Sequence, residues 1–251
     1  MEMRELRAEA ESQLRGAAGR SKRSGNVPFP PAFVIARADQ ESLAPLARMI
    51  QGGRGGAVRL RLYLCITMMA TSKPYDLKKP PTPRAWASIL ALDPRTGERR
   101  VTRSLKWLAD NGFIRLEKRW GGPSAITLLS PAGDSGDYVR PIEQGRYVGV
   151  PVEFWTLGWI LDLSPTAIAL LLVLLEALGG HSAARYITTE RRRRYGLSAD
   201  TWTKATQELV GHGLLVVGRE PQGGFYDYQR MRNTYLVDVE RLKKLPGAAK
   251  G

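Results

Sequence analysis

Two stretches of this chain set polar and cationic side chains at helical spacing opposite an apolar stripe. In the first, Val101, Leu105, Leu108 and Ala109 recur at i, i+4, i+7 and i+8, which predicts a helix with one face turned to a core. Arg99, Arg100, Thr102, Arg103 and Lys106 then belong to the solvent side. Such guanidinium and ammonium groups pair with phosphate oxygens, or with O6 and N7 of guanine when a helix lies in a major groove. In the second stretch Trp202, Ala205 and Leu209 form the inward stripe, with Thr203, Lys204 and Gln207 outward and Ser198 and Thr201 at the helix start. A glutamine can read adenine, and hydroxyls near a helix start suit a phosphate beside the first-turn N–H groups.

The elements that must position these side chains recur as well. Val101-Thr102-Arg103-Ser104-Leu105-Lys106-Trp107-Leu108-Ala109-Asp110-Asn111-Gly112-Phe113-Ile114 aligns without a gap to Trp202-Thr203-Lys204-Ala205-Thr206-Gln207-Glu208-Leu209-Val210-Gly211-His212-Gly213-Leu214-Leu215. Each copy reads as an amphipathic helix stopped by glycine and followed at once by an apolar strand. Far upstream of each, Phe29-Pro30-Pro31-Ala32-Phe33-Val34 and Val150-Pro151-Val152-Glu153-Phe154-Trp155 share an apolar, proline and aromatic pattern, so two phrases occur in the same order in both halves.

Between the phrases, helices are predicted over 58–70 and 83–92 in the first half, and over 165–178 and 189–195 in the second. Thr82-Pro83 and Ser164-Pro165 supply start signals. A further helix over 43–50 and a flexible Gly52-Gly53-Arg54-Gly55-Gly56 break are expected in the first half alone; in the second, 159–164 leads directly into its helix. Hairpins follow each repeated phrase, over 114–129 with a Gly121-Gly122-Pro123 tip, and over 214–237 with a tip at Pro221-Gln222-Gly223-Gly224. Their cations, Arg115, Lys118 and Arg119 in one and Arg219, Arg230 and Arg232 in the other, suit a DNA backbone or minor groove. Arg191-Arg192-Arg193-Arg194 is the densest cationic cluster and is expected on or just before the second helix of the second half.

The 251 residues and their internal repeat favour two modest domains, placed at 27–133 and 147–242. Residues 1–26, with Leu6 and Leu14 as scant apolar content, are expected to be a basic, partly helical or flexible tail; 134–146 is a linker and 243–251 a second tail. A formal charge of +14 favours an anionic partner, nucleic acid or an acidic membrane surface. Residues 1–140 carry 24 Lys and Arg against 13 Asp and Glu, whereas 141–251 carry 14 against 11, so the first half is expected to dominate attraction to phosphate.

Several function classes find no residues to support them. The single cysteine, Cys65, sits in an apolar run and allows neither an intrachain disulfide nor a cysteine-built zinc site. The longest apolar run, 167–178, is too short to span a bilayer of about 30 Å, and the charged start has no secretion signal, so a cytoplasmic, nucleoid-associated protein is expected. His181 and His212 have no neighbouring ligand set, and Gly52 to Gly56 lacks the lysine and hydroxyl of a phosphate loop. Asp134 and Asp137 read as solvated loop acids. No enzyme activity, metal or cofactor is expected.

The phrase over 101–114 resembles the third helix and first wing strand of bacterial winged-helix regulators of the MarR and GntR kind. The arrangement over 27–242 is similar to plasmid replication initiators that bind repeated origin sites. The resemblance implies a mainly α fold with small β-hairpin wings, two tandem winged helix-turn-helix domains, and sequence-specific binding of double-stranded DNA. The implied role is transcriptional regulation, or replication initiation and maintenance of a plasmid or other mobile element. In such initiators the C-terminal domain usually makes the main specific contacts, a division that the charge distribution here does not follow. Assembly as a homodimer or multimer on DNA is left open, and a protein-interaction scaffold built from winged-helix modules is the alternative.

Overall fold

The computed structural model describes residues 2–37, 42–51, 55–179, 183–222 and 230–247. Part of the glycine break (52–54), His181 and the Gly223-Gly224 tip lie outside them. The chain opens with α1 (Glu2–Ser21), then runs β1 (Asn26–Phe29), α2 (Pro31–Val34), α3 (Pro45–Ile50), α4 (Gly56–Met69), β2 (Asp76–Leu77), α5 (Pro83–Ile89), α6 (Gly97–Asp110), β3 (Ile114–Arg119) and β4 (Gly122–Leu128). The same order returns in β5 (Val148–Pro151), α7 (Glu153–Thr156), α8 (Trp159–Asp162), α9 (Pro165–Leu178), β6 (Arg185–Tyr186), α10 (Thr189–Arg194), α11 (Ala199–Gly211), β7 (Leu215–Gln222) and β8 (Arg230–Val237). Helices dominate, and the strands form small antiparallel sheets.

Local chemistry sets the helix ends. The hydroxyls of Thr82, Ser164, Thr188 and Ser198 accept hydrogen bonds from the N–H groups of Ala85, Ala167, Arg191 and Thr201, satisfying donors that a first turn leaves unpaired. After α6 and α11 the chain turns through Gly112 and Gly213, at φ +73° and +70°. Any side chain there would be strained, and at Gly112 a Cβ would also stand 2.6 Å from Ser135 Oγ.

Each half builds a three-stranded sheet in which the short strand joins the hairpin: β2–β4–β3 in the first and β6–β8–β7 in the second. A third sheet joins the halves. Within it β1 pairs antiparallel with β5, Val27 opposite Val150 and Phe29 opposite Val148, so equivalent strands of the two repeats meet as a local two-fold axis would place them. One hydrophobic cluster runs through both halves. Most side chains of α4 and α9 are buried, so these two helices lie at its centre and the amphipathic α6 and α11 pack over them.

Three expectations are corrected. Residues 2–21 form a docked helix, because Ala10, Leu14, Ala17 and Ala18 make a narrow stripe that is fully covered. Arg7 reaches the carbonyl of Gly158 at 3.1 Å, and Arg23 those of Thr67 and Met68 at 3.0 and 3.3 Å. Small alanines lower the hydropathy of such a stripe while letting the helix approach closely. The 134–146 segment is likewise held: Leu129 bridges Asp137, and Tyr138 meets Tyr75 edge-on at 4.9 Å. Finally, the 159–164 stretch contains α8, at the position in chain order that α3 holds in the first half.

Candidate nucleic-acid interface

In the first half α6 buries Gly97, Val101, Ser104 and Leu108. The inward stripe is therefore turned slightly from the predicted one: Leu105 and Ala109 are only partly buried and Ser104 is covered instead. Gly97 marks the close approach to α5, since a Cβ there would lie 2.9 Å from the Cβ atoms of both Ala87 and Leu92. Arg99, Thr102, Arg103 and Lys106 are exposed and Arg100 is half-buried. Thr102 donates its hydroxyl to the Glu98 carbonyl at 3.0 Å, and Lys106 pairs with Asp110 at 2.8 Å in the open. Solvated pairs of that kind are weak, so Lys106 can exchange Asp110 for another anion. Among the described residues Arg99 and Arg103 have no intramolecular partner.

The β3–β4 hairpin stands beside this helix. Lys118 and Arg119 are exposed, Arg115 pairs with Glu117 at 3.2 Å, and Arg119 donates to the carbonyl of Lys78. That last contact ties the β2–α5 loop to the hairpin and adds Lys78 and Lys79, both exposed, to the cationic surface. Neither was singled out from the sequence, although Lys78-Lys79-Pro80-Pro81 is a basic run in an extended, proline-held segment. Between α6 and the hairpin runs a groove of about 320 Å³, walled by Pro80, Pro81, Leu105, Leu116, Pro123 and Ile126 together with Thr102 and Lys106.

In the second half α11 buries Trp202, Ala205 and Leu209, with Thr203, Lys204 and Gln207 exposed. Thr203 donates to the Ala199 carbonyl at 3.0 Å, and Lys204 pairs with Asp200 at 2.9 Å. Ser198 and Thr201 are occupied with each other: the Ser198 hydroxyl bonds Thr201 Oγ1 at 2.9 Å as well as capping the helix. Arg230 is exposed, and Arg232 lies 5.6 Å over the ring of Tyr186.

The arginine run on α10, the densest cationic cluster in the sequence, does not form one cationic surface. Arg191 grips both carboxylate oxygens of the buried Glu176 at 2.9 Å and donates to the Tyr195 hydroxyl at 2.8 Å. Arg192 stacks 4.4 Å over Trp202, and Arg194 donates to the carbonyl of Ala36. Only Arg193 of the four is exposed. Successive helical residues point about 100° apart, so a run of four cannot share a face, and the neighbouring Glu176 and Trp202 claim two of them.

No family model, curated protein or solved structure matches this chain. Among the described residues no three His, Cys, Asp or Glu side chains are arranged to hold a metal ion, and no helix is long and apolar enough to cross a membrane. His212 lies edge-on to Trp159 with ring centroids 5.7 Å apart, and its Nδ1 is 3.7 Å from Asp162.

The two surfaces rest on neighbouring core helices: α4 packs against α6 and α9, and α9 against α11. Arg61 donates to the carbonyls of Leu161 and Leu163 at 3.4 and 3.0 Å. Burial pulls its guanidinium below the ordinary range, with Cys65 opposing the shift and Arg7 adding to it. Glu208 of α11 accepts from both the N–H and the hydroxyl of Ser164 at the start of α9. Helices α6 and α11 are thus mounted on one core.

Proposed function

We propose that the chain binds double-stranded DNA sequence-specifically through two winged-helix units, with α6 and α11 as the recognition helices and the β3–β4 and β7–β8 hairpins as wings. One observation carries this reading. Each half repeats the order helix, short strand, helix, amphipathic helix and hairpin, and in each the outward face of the amphipathic helix is polar, strongly cationic on α6 and close to neutral on α11, where Lys204 faces Asp200. Arg99 and Arg103, with Lys78, Lys79 and Lys118 nearby, give the first unit the greater share of affinity; Gln207 gives the second unit a side chain suited to adenine. The role this serves is transcriptional control, or initiation and maintenance of a mobile replicon.

The test is a salt titration of binding to a duplex selected from random sequence. Specific binding persists while log K falls linearly with log salt. Arg103→Ala and Lys204→Ala each weaken it, and the slope becomes shallower by about 1 for every phosphate left without its cation. Indifference to both substitutions, or no DNA affinity at physiological salt alongside a stable protein partner, overturns the reading in favour of an interaction scaffold.

A further inference from the structure

Trp120 has its whole side chain in water, at 103% relative exposure, whereas Trp86, Trp155, Trp159 and Trp202 are buried and Trp107 is half-buried. It occupies a fixed place. Arg119 pairs with Gly122 across the first hairpin, so Trp120 and Gly121 form its two-residue tip, with Gly121 at φ +67° as the second turn residue. A tip of this length holds the indole beyond the end of the sheet, while Leu116 and Ile126 of the same hairpin pack toward the protein.

The surroundings define what this ring would meet. Lys118 and Arg119 precede it, and the Arg119 contact with the Lys78 carbonyl brings Lys78 and Lys79 to the same end of the unit. The carboxylate on this strand, Glu117, is paired with Arg115. A flat apolar ring set among cations fits a ligand that offers both negative charge and a flat aromatic face. Nucleic acid has both, in its phosphates and in the faces of its bases, and aromatic wedges of this kind open base steps from the minor groove.

We propose that Trp120 stacks on an unpaired nucleobase, which makes the first hairpin a wedge that favours DNA opened at one base step. The proposal rests on the DNA-binding reading above and assigns to it a further contact. An exposed base face occurs both in a locally opened duplex and in a single strand, and the probes separate these two sources.

Fluorescence anisotropy of the full chain would be measured at one salt concentration against three DNAs of the same sequence: a matched duplex, a duplex with one unpaired 2-aminopurine, and the single strand. The wild type favours DNA with an unpaired base over the matched duplex by roughly tenfold, and quenches the 2-aminopurine on binding. Preference for the opened duplex or for the single strand identifies the source. Trp120→Ala abolishes both preference and quenching, and Trp120→Phe retains part of each; thermal melting confirms that both variants are folded. Unchanged preference and quenching in Trp120→Ala overturns the wedge but leaves DNA binding standing. Loss of binding to phosphatidylserine vesicles in Trp120→Ala, with DNA binding untouched, assigns the indole to a membrane surface instead. Failure of the wild type to bind any of the three DNAs overturns both readings.

Discussion

Arg194 and Ala36 hold each other by three hydrogen bonds: the Ala36 N–H donates to the Arg194 carbonyl at 3.0 Å, while Arg194 Nε and Nη2 donate to the Ala36 carbonyl at 3.0 and 2.9 Å. They join α10 of the second repeat to the segment after α2 of the first. Arg194→Ala removes two charge-assisted bonds from a half-buried site and is expected to lower stability by about 1.5–3 kcal/mol in urea unfolding. On the proposed DNA-binding reading, the salt slope of the folded variant is expected to stay unchanged.

Arg193 should behave in the opposite way. It is exposed, so Arg193→Ala is expected to alter unfolding free energy by no more than about 0.5 kcal/mol. If it meets phosphate in the complex, the same variant makes the salt dependence of binding shallower by about 1. Unfolding and binding measured on both variants separate the structural arginine from the one available to a ligand.

Glu176 is the buried anchor of a second network. Its side chain is 3% exposed and is held by Arg191 at 2.9 Å, Tyr195 at 2.6 Å and Arg146 at 3.2 Å. Glu176→Ala leaves Arg191 Nη2 and the Tyr195 hydroxyl without their acceptor, at a cost of about 3 kcal/mol readable as a lower melting temperature. Arg146→Ala, at the exposed side of the network, is expected to cost less than about 1 kcal/mol.

The contact at Gly97 tests the mounting of α6. An added methyl group would press on Ala87 and Leu92 at 2.9 Å, and neither side can yield without moving α5 or the turn between the helices. Gly97→Ala is therefore expected to destabilise by about 1–3 kcal/mol, as overpacking does. By tilting α6 it should also weaken the proposed DNA binding, whereas Gly19→Ala on α1, with open space around it, should do neither.

Burial pushes the Cys65 thiol up to about 12 from an ordinary value of 9.0, against the opposing pull of Arg61. The sign follows from the neutral form being favoured in the folded state. Below about pH 9 both states hold the proton and the group adds no pH dependence; from there toward pH 12 the unfolded chain ionises first, and the thiol's contribution to stability is lost. Native protein at pH 8 is expected to resist iodoacetamide, with alkylation appearing only as urea unfolds it. Rapid alkylation of the native state would contradict the buried placement.

Much of the layout is legible in the chain. The two phrases over 101–114 and 202–215 do lie on equivalent helices and strands, and Thr82-Pro83 and Ser164-Pro165 mark helix starts where their hydroxyls cap the first turn. Less visible are α1, whose buried stripe is mostly alanine, and the strands β2 and β6, which at two residues each are too short to show an alternation. Leu105 and Ser104 exchange places for a similar reason: a stripe read from hydropathy is uncertain by the angle between neighbouring residues, and the close fit at Gly97 sets the rotation.

The repeat, the helices and hairpins of each half, and the excess of positive charge in the first are all written in the order of the amino acids. Those properties depend on composition and on neighbours within a few residues along the chain. Which cations remain on the surface, and how the repeats meet, follow from the packed fold alone, because the partners are distant in sequence. Arg191 is claimed by Glu176 and Arg194 by Ala36, while β1 finds its partner in β5. A run of four arginines looks like one surface until the groups around it show that only Arg193 stays exposed.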